Sequence, residues 1–137
     1  MASFGPPPGR LRVSCSHGEP VLLVLAGELD AGTVLVAAGA VAAALAGCPA
    51  PRAIVLDLAG VHFLGAAGVR ALCAVTDHAA AGNARLRVVT GGNAVVSRAL
   101  RLTGADRVLD VYVDRGTALC AGDGREFLRL AAQMWNS

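Results

Sequence analysis

The sequence predicts an α/β fold: a mixed β-sheet that begins with a hairpin, continues in βαβ units and carries its helices mainly on one face. Two observations support this class. Two short apolar segments, 11–15 and 21–25, flank a turn-forming stretch, as the strands of a hairpin do. After them, helical and strand-like apolar patterns alternate as far as residue 113, which indicates parallel strands joined by helices.

The length of 137 residues is sufficient for one domain with a buried core. Residues 1–10 are rich in Pro and Gly, and we expect them to form a flexible lead-in. The domain itself is expected to span 11–120. Apolar residues recur on one side of a helical pattern between 126 and 135, so we expect 121–137 to be a helical C-terminal extension.

The first half of the domain is predicted from its turns and apolar spacing. A turn at 27–30 is expected to end the second strand, with Asp30 placed to cap the first helix. The inward face of that helix is expected to carry residues spaced by three and four, namely Val34, Ala38, Val41 and Leu45. The apolar run 53–58 predicts a strand covered on both faces. We expect 59–64 to be a loop and a second helix to begin within 65–68.

The second half of the domain continues the alternation. The second helix is expected to turn Val69, Leu72, Cys73 and Thr76 inward and to end at Gly82-Asn83. A strand is predicted at 86–90, and a third helix after it, with Thr103 among its inward residues. A last strand is expected at 108–113, and a short helical turn at 117–120.

The composition excludes several classes of function. All twelve basic residues are Arg, so the chemistry of Schiff-base and P-loop lysines is absent. The formal net charge is only +2, and basic and acidic residues are interleaved without the basic stripe typical of nucleic-acid-binding proteins. The three His are far apart, and no spacing indicates a catalytic or metal site, so we expect no enzyme and no cofactor. The uncharged stretch 31–48 is mostly Ala and Gly, which favours a soluble helix over membrane insertion.

Three sequence phrases, in order and suitably separated, point to a known family. They are Gly27-Glu28-Leu29-Asp30, then Ile54-Val55-Leu56-Asp57-Leu58 leading into Gly60-Val61-His62-Phe63-Leu64, and finally Leu100-Arg101-Leu102-Thr103-Gly104 leading into Asp106-Arg107-Val108. With them, the stretch from about 11 to 119 resembles the STAS-domain anti-sigma-factor antagonists. The resemblance implies a cytoplasmic, non-catalytic regulator of transcription that binds a kinase-like anti-sigma factor and thereby frees a sigma factor.

The resemblance also implies where the partner would bind. In that family the loop after Phe63-Leu64 reads Asp-Ser-Ser-Gly, and the anti-sigma factor phosphorylates the second Ser. Here Ala67, which has no hydroxyl, stands at the phospho-acceptor position. The implied partner-binding residues are Asp30, Gly65, Ala66, Ala67, Gly68, Val69, Arg70 and Ala74. Asp30 and Glu28 could also support nucleotide binding, although helix capping explains Asp30 more simply.

Three interpretations of Ala67 follow. A phosphate adds about −1.5 to −2 charges at neutral pH and would disrupt a docking surface, but alanine cannot accept one. The protein is then either a permanently competent antagonist, or an antagonist controlled elsewhere, or a STAS scaffold with an unrelated ligand. An accessory domain that binds a nucleotide or lipid, or that serves a transport system, is the alternative function.

The four cysteines, at positions 15, 48, 73 and 120, form no CxxC pair, and their wide spacing favours a reducing compartment. We expect Cys73 to be a small buried side chain on the second helix. The alternative is a redox switch in which Cys73 pairs with Cys120. The apolar side of the terminal helix is expected to pack on the domain, with a homodimer contact as the alternative.

Overall fold

The computed structural model describes residues 11–18, 20–47 and 52–121. The strands are β1 (Leu11–Ser16), β2 (Val21–Leu29), β3 (Arg52–Leu64), β4 (Ala84–Val89) and β5 (Asp110–Tyr112). The helices are α1 (Val34–Gly47), α2 (Ala66–Ala81), α3 (Ala94–Thr103) and α4 (Arg115–Cys120), and a single 3₁₀ turn follows α3 at Ala105–Arg107. The predicted lead-in and C-terminal extension lie outside the described residues.

The five strands form one mixed sheet in the order β1-β2-β3-β4-β5. β1 runs antiparallel to β2, whereas β2, β3, β4 and β5 are mutually parallel. A helix connects each parallel strand to the next, as crossover connections between parallel strands require. The predicted hairpin followed by βαβ units is therefore confirmed.

Alternating side chains divide the sheet between two cores. The larger core lies under α1, α2 and α3, and its buried residues include Leu23, Leu25, Ile54, Leu56, Leu72 and Leu100. The smaller core lies under α4 and contains Val55, Val89 and Ala118. Three helices thus cover one face, which confirms the predicted one-sided packing, and the short α4 covers part of the other.

β2 and β3 are longer than the sequence predicted. β2 continues to Leu29 instead of turning at Gly27, and β3 continues through the expected loop to Leu64. Two bulges explain the difference. Val24 pairs with Asp57 but Ala26 with Gly60, so β3 carries an extra residue there, and a second one is inserted just before Phe63. The bulges break the alternation of apolar and polar residues that identifies a strand.

α1 buries a face different from the predicted one. Its buried residues are Ala37, Val41 and Ala44, whereas Val34, Ala38 and Leu45 are only partly buried. Every residue of this helix is apolar, so the three-and-four spacing could not identify the inward side. Within the part of the chain that the structure describes, no helix is long and apolar enough to cross a membrane.

Smaller differences occur near the end of the domain. The last strand is only Asp110–Tyr112, because the 3₁₀ turn and the exposed Val108 occupy the residues before it. Thr103 is exposed rather than inward, and its hydroxyl donates to the Ala99 carbonyl oxygen at 2.8 Å. α4 begins at Arg115, two residues earlier than predicted.

α4 is attached to the sheet by polar contacts as well as by its small core. The carboxylate of Asp57, on β3, is almost fully buried and accepts bonds from Arg115 Nε at 2.8 Å and from the Ala59 amide at 2.9 Å. The buried Arg87 Nη1 donates to the Ala118 carbonyl oxygen at 3.0 Å. Asp114 caps α4, and its pKa is lowered because the Thr117 amide and hydroxyl both donate to its carboxylate.

Removing Arg115, the cation that pairs with Asp57, is expected to destabilise the domain. Arg115→Ala leaves the Asp57 carboxylate buried beside α4 without its cation. We expect the free energy of unfolding to fall by about 1–2 kcal/mol. This loss is smaller than for a fully buried ion pair, because the Arg115 side chain is 48% exposed to solvent. Adding Asp57→Asn should recover part of the loss. Urea denaturation measures both effects, with Arg107→Ala, an exposed arginine, as the control. An Arg115→Ala protein as stable as that control would contradict the predicted role of the ion pair.

Candidate partner-docking site

The carboxyl ends of β2 and β3 bring the predicted site residues together. Leu29 and Leu64 are paired at the ends of these strands, and the Gly65 amide donates to the Leu29 carbonyl oxygen at 3.2 Å. The turn that starts at Asp30 therefore lies beside the Gly-Ala-Ala-Gly loop that opens α2. Ligand sites in parallel α/β sheets commonly form at this edge.

Gly68 has a structural role in this loop. It is buried, and a Cβ atom there would collide with the Leu29 carbonyl oxygen and lie 2.9 Å from Leu64 Cδ1. Both the Gly65 amide and the Gly68 Cα thus face the same backbone carbonyl. Only glycine allows α2 to approach β2 so closely.

The first turn of α2 is uncharged and lacks a side-chain cap. Gly65 occupies the N-cap position, and no side chain accepts a bond from the helix there. Ala66 is exposed and Ala67 is partly exposed. The ring of Phe63, which is 49% exposed, lies against Gly65. The side chains at this helix start are apolar.

Asp30 stabilises the turn that leads into α1. One carboxylate oxygen accepts a bond from the Gly32 amide at 2.9 Å, and the backbone carbonyl of Asp30 accepts bonds from the Thr33 and Val34 amides. The buried Thr33 hydroxyl donates to the Glu28 carbonyl oxygen at 2.7 Å and accepts from the Asp30 amide at 3.0 Å. Asp30 therefore caps the turn before the helix, rather than the helix itself as predicted, and it remains partly exposed.

Not every predicted partner-binding residue reaches the surface. Ala66, Arg70 and Ala74 are exposed at intervals of four and form one stripe along α2. Val69 is only 5% exposed and belongs to the larger core, so its assignment to the partner surface is corrected. Gly68 is corrected as well, because it is buried against the Leu29 carbonyl oxygen. The remaining candidate docking surface comprises Asp30, Gly65, Ala66, Ala67, Arg70 and Ala74.

The polar contacts of Asn93 were not predicted from the sequence, which indicated only a turn at this position. The Asn93 side-chain oxygen caps α3 by accepting bonds from the Val95 and Val96 amides. Its side-chain nitrogen donates to the carbonyl oxygens of Val61 at 2.7 Å and Ala59 at 3.0 Å. Asn93 thus holds the bulged part of β3, which leads into the candidate docking surface. An Asn directly before a helical pattern is the sequence signal that could have indicated the cap.

The structure does not bring Cys73 and Cys120 together. Cys73, on α2, packs against the larger core, whereas Cys120 is at the exposed end of α4, across the sheet. Both are free thiols, as is the exposed Cys15. A disulfide requires Cα atoms within about 7 Å, which two elements on opposite faces of a sheet do not offer. Among the described residues, no three His, Cys, Asp or Glu side chains are grouped as metal ligands would be.

Comparison with known proteins identifies the domain. A family model described as "Mlab, STAS domain" matches residues 14–111. An anti-sigma factor antagonist from Mycobacterium paratuberculosis is 29% identical with a TM-score of 0.72, and the match covers 83% of this chain and 95% of that one. No curated protein matches the chain by sequence.

More distant solved structures share the fold. An anti-sigma-factor antagonist (STAS) domain protein from Planctomyces limnophilus is 21% identical over 82% of this chain and 97% of its own, with a TM-score of 0.64. SpoIIAA from Bacillus, in its phosphorylated form, is 16% identical over 78% and 95% of the two chains, with a TM-score of 0.55. Since the family model spans well over half of the sequence, the chain belongs to the STAS domain family.

Proposed function

We propose that this protein is an anti-sigma-factor antagonist that binds a kinase-like anti-sigma factor through the candidate docking surface and so releases a sigma factor. We further propose that phosphorylation of the α2 loop does not control this binding. One observation carries the proposal: Ala67, in the first turn of α2, is partly exposed and has no hydroxyl, at the position where the resemblance implies the family's phospho-acceptor.

The local structure supports a surface that is always ready to bind. Gly65 and Gly68 fix the loop against the end of β2 through the Leu29 carbonyl oxygen. The turn at Asp30 is fixed independently by Thr33. A surface held in one conformation loses little entropy on binding. Because the loop offers no hydroxyl, no phosphate can be added to it, and the amount of protein present would then set the level of binding.

The proposed activity is binding without catalysis, in the cytoplasm. The likeness to the mycobacterial antagonist supports the general kind of function, since that protein covers nearly the same length. The candidate docking surface contains two charged residues, Asp30 and Arg70. The hydroxyl beside the Asp30 carboxylate, that of Thr33 at 3.4 Å, is buried and donates to the Glu28 carbonyl oxygen, so it serves the turn.

Introducing a negative charge into the loop tests the proposal. Ala67→Glu is a crude substitute for a phosphate, and we expect it to weaken binding to a kinase-like anti-sigma factor of the same organism about 10- to 100-fold, because it places an unpaired charge in the interface. Ala80→Glu is the matched control, since Ala80 is exposed on the same helix but about 20 Å away along its axis. Calorimetry measures both affinities.

The outcomes separate the proposed function from its alternative. Equal affinities for wild type and Ala67→Glu would place the partner elsewhere on the domain. Absence of anti-sigma binding, together with a raised melting temperature in the presence of a nucleotide or lipid, would favour an accessory domain of a transport system.

A further inference from the structure

The solvent-facing side of α1 differs from that of the other helices in the same layer. α2 exposes Arg70 and Asp77, and α3 exposes Arg98 and Arg101. α1 contains no polar or charged residue among its 14 positions. Its solvent-facing side, here called the α1 outer face, consists of Leu35, Val36, Gly39, Ala42, Ala43 and Ala46.

The α1 outer face has its large side chains at one end. Leu35 is 82% exposed and Val36 is 48% exposed, and both lie in the first turn of the helix. Beyond them the exposed positions carry only Ala and Gly. The first turn follows Asp30 by a few residues, so the large apolar side chains are next to the candidate docking surface. A helix that is apolar on all sides is ordinarily covered on all sides.

We propose that the α1 outer face, centred on Leu35 and Val36, is the apolar part of the interface with the anti-sigma factor. This inference rests on the proposed function and specifies the chemistry of the partner, which must present an apolar surface to α1. The candidate docking surface and the α1 outer face together would then form one continuous contact area at the beginning of α1 and α2.

The size of the α1 outer face favours this partner over a second copy of the chain. A helix of 14 residues is about 21 Å long. With a width of about 10 Å, one face offers on the order of 200 Å², whereas a stable interface buries about 800 Å² on each partner. The α1 outer face must therefore be part of a larger interface. The candidate docking surface adjoins the end that carries its largest side chains, where the centre of an interface is expected.

The charges around this area indicate how the partner is recognised. Apart from Asp30 and Arg70, the described residues of the two surfaces carry no charge. Opposite charges across an interface make association depend on salt, but apolar contacts do not. The affinity for the anti-sigma factor should therefore change little when the ionic strength is raised.

Two leucines form a matched pair for the test. Leu35→Ser is expected to weaken binding to the anti-sigma factor about 10- to 30-fold, the usual effect of truncating a central apolar contact. Leu102→Ser is the control, because Leu102 is also a highly exposed helical leucine, at 72%, but lies in the last turn of α3. Thermal unfolding of both variants should match wild type, since neither side chain is buried.

The outcomes distinguish this inference from the proposed function. Binding by wild type with equal affinities for Leu35→Ser and Leu102→Ser would overturn the inference and leave the proposed function intact. A dimer in analytical ultracentrifugation that Leu35→Ser converts to a monomer would overturn it in favour of a second copy. If neither wild type nor Ala67→Glu binds an anti-sigma factor, the proposed function itself fails, and the inference fails with it.

Discussion

Gly68→Ala is expected to lower the free energy of unfolding by about 2–3 kcal/mol, as overpacking of a closely packed site does. The added Cβ would collide with the Leu29 carbonyl oxygen, which belongs to the backbone at the end of β2 and cannot rotate away. It would also lie 2.9 Å from Leu64 Cδ1. Either α2 moves outward or β2 loses its register with β3, and both changes disturb the candidate docking surface.

Gly39→Ala is the control for this substitution. Gly39 is also helical, but a Cβ there would meet no atom within 4 Å. We expect this variant to gain about 0.5–1 kcal/mol, the usual advantage of alanine over glycine inside a helix. Urea denaturation gives both values. If the two variants shift stability in the same direction, α2 is not seated against Leu29 as the structure places it.

Asn93→Asp is expected to cost about 2–3 kcal/mol at neutral pH, although Asn and Asp are equally good helix caps. The introduced carboxylate can still accept bonds from the Val95 and Val96 amides. It cannot donate to the carbonyl oxygens of Ala59 and Val61, and it places negative charge against them. The loss would therefore come from the attachment of α3 to β3 and not from the cap.

Urea denaturation at neutral pH separates these two roles. A variant as stable as wild type at neutral pH would show that Asn93 acts only as a cap.

The sequence was sufficient for the class of fold because turns and apolar runs mark most elements locally. It failed in β3, where the residues facing the larger core are Ile54, Leu56, Leu58, Val61 and Leu64. Their spacing changes from two to three because the bulges insert extra residues. Bulges depend on pairing with β2, which is distant in sequence, so the second half of β3 was predicted as a loop.

The candidate site stays a prediction that rests on the resemblance of its loop, and the sequence predicted only part of which side chains there reach the surface. The helical spacing predicted Val69 on the inward side of α2, as its 5% exposure confirms, whereas the resemblance to the family implied a place for Val69 on the partner surface. The outward side of α1 was also hidden, because a helix without polar residues gives no sign of which side faces solvent. For Cys73 and Cys120, the deciding fact is the sheet between them, which only the tertiary structure contains.

The most direct test is to incubate the protein with the kinase-like anti-sigma factor and Mg-ATP, then to record its intact mass and its affinity for that partner. Because the loop that opens α2 holds no hydroxyl, we expect the mass of the protein to stay unchanged. We also expect its affinity for the anti-sigma factor to be the same with ATP and with ADP. A gain of one phosphate accompanied by loss of the complex would contradict the account, because control by modification would then exist on this chain.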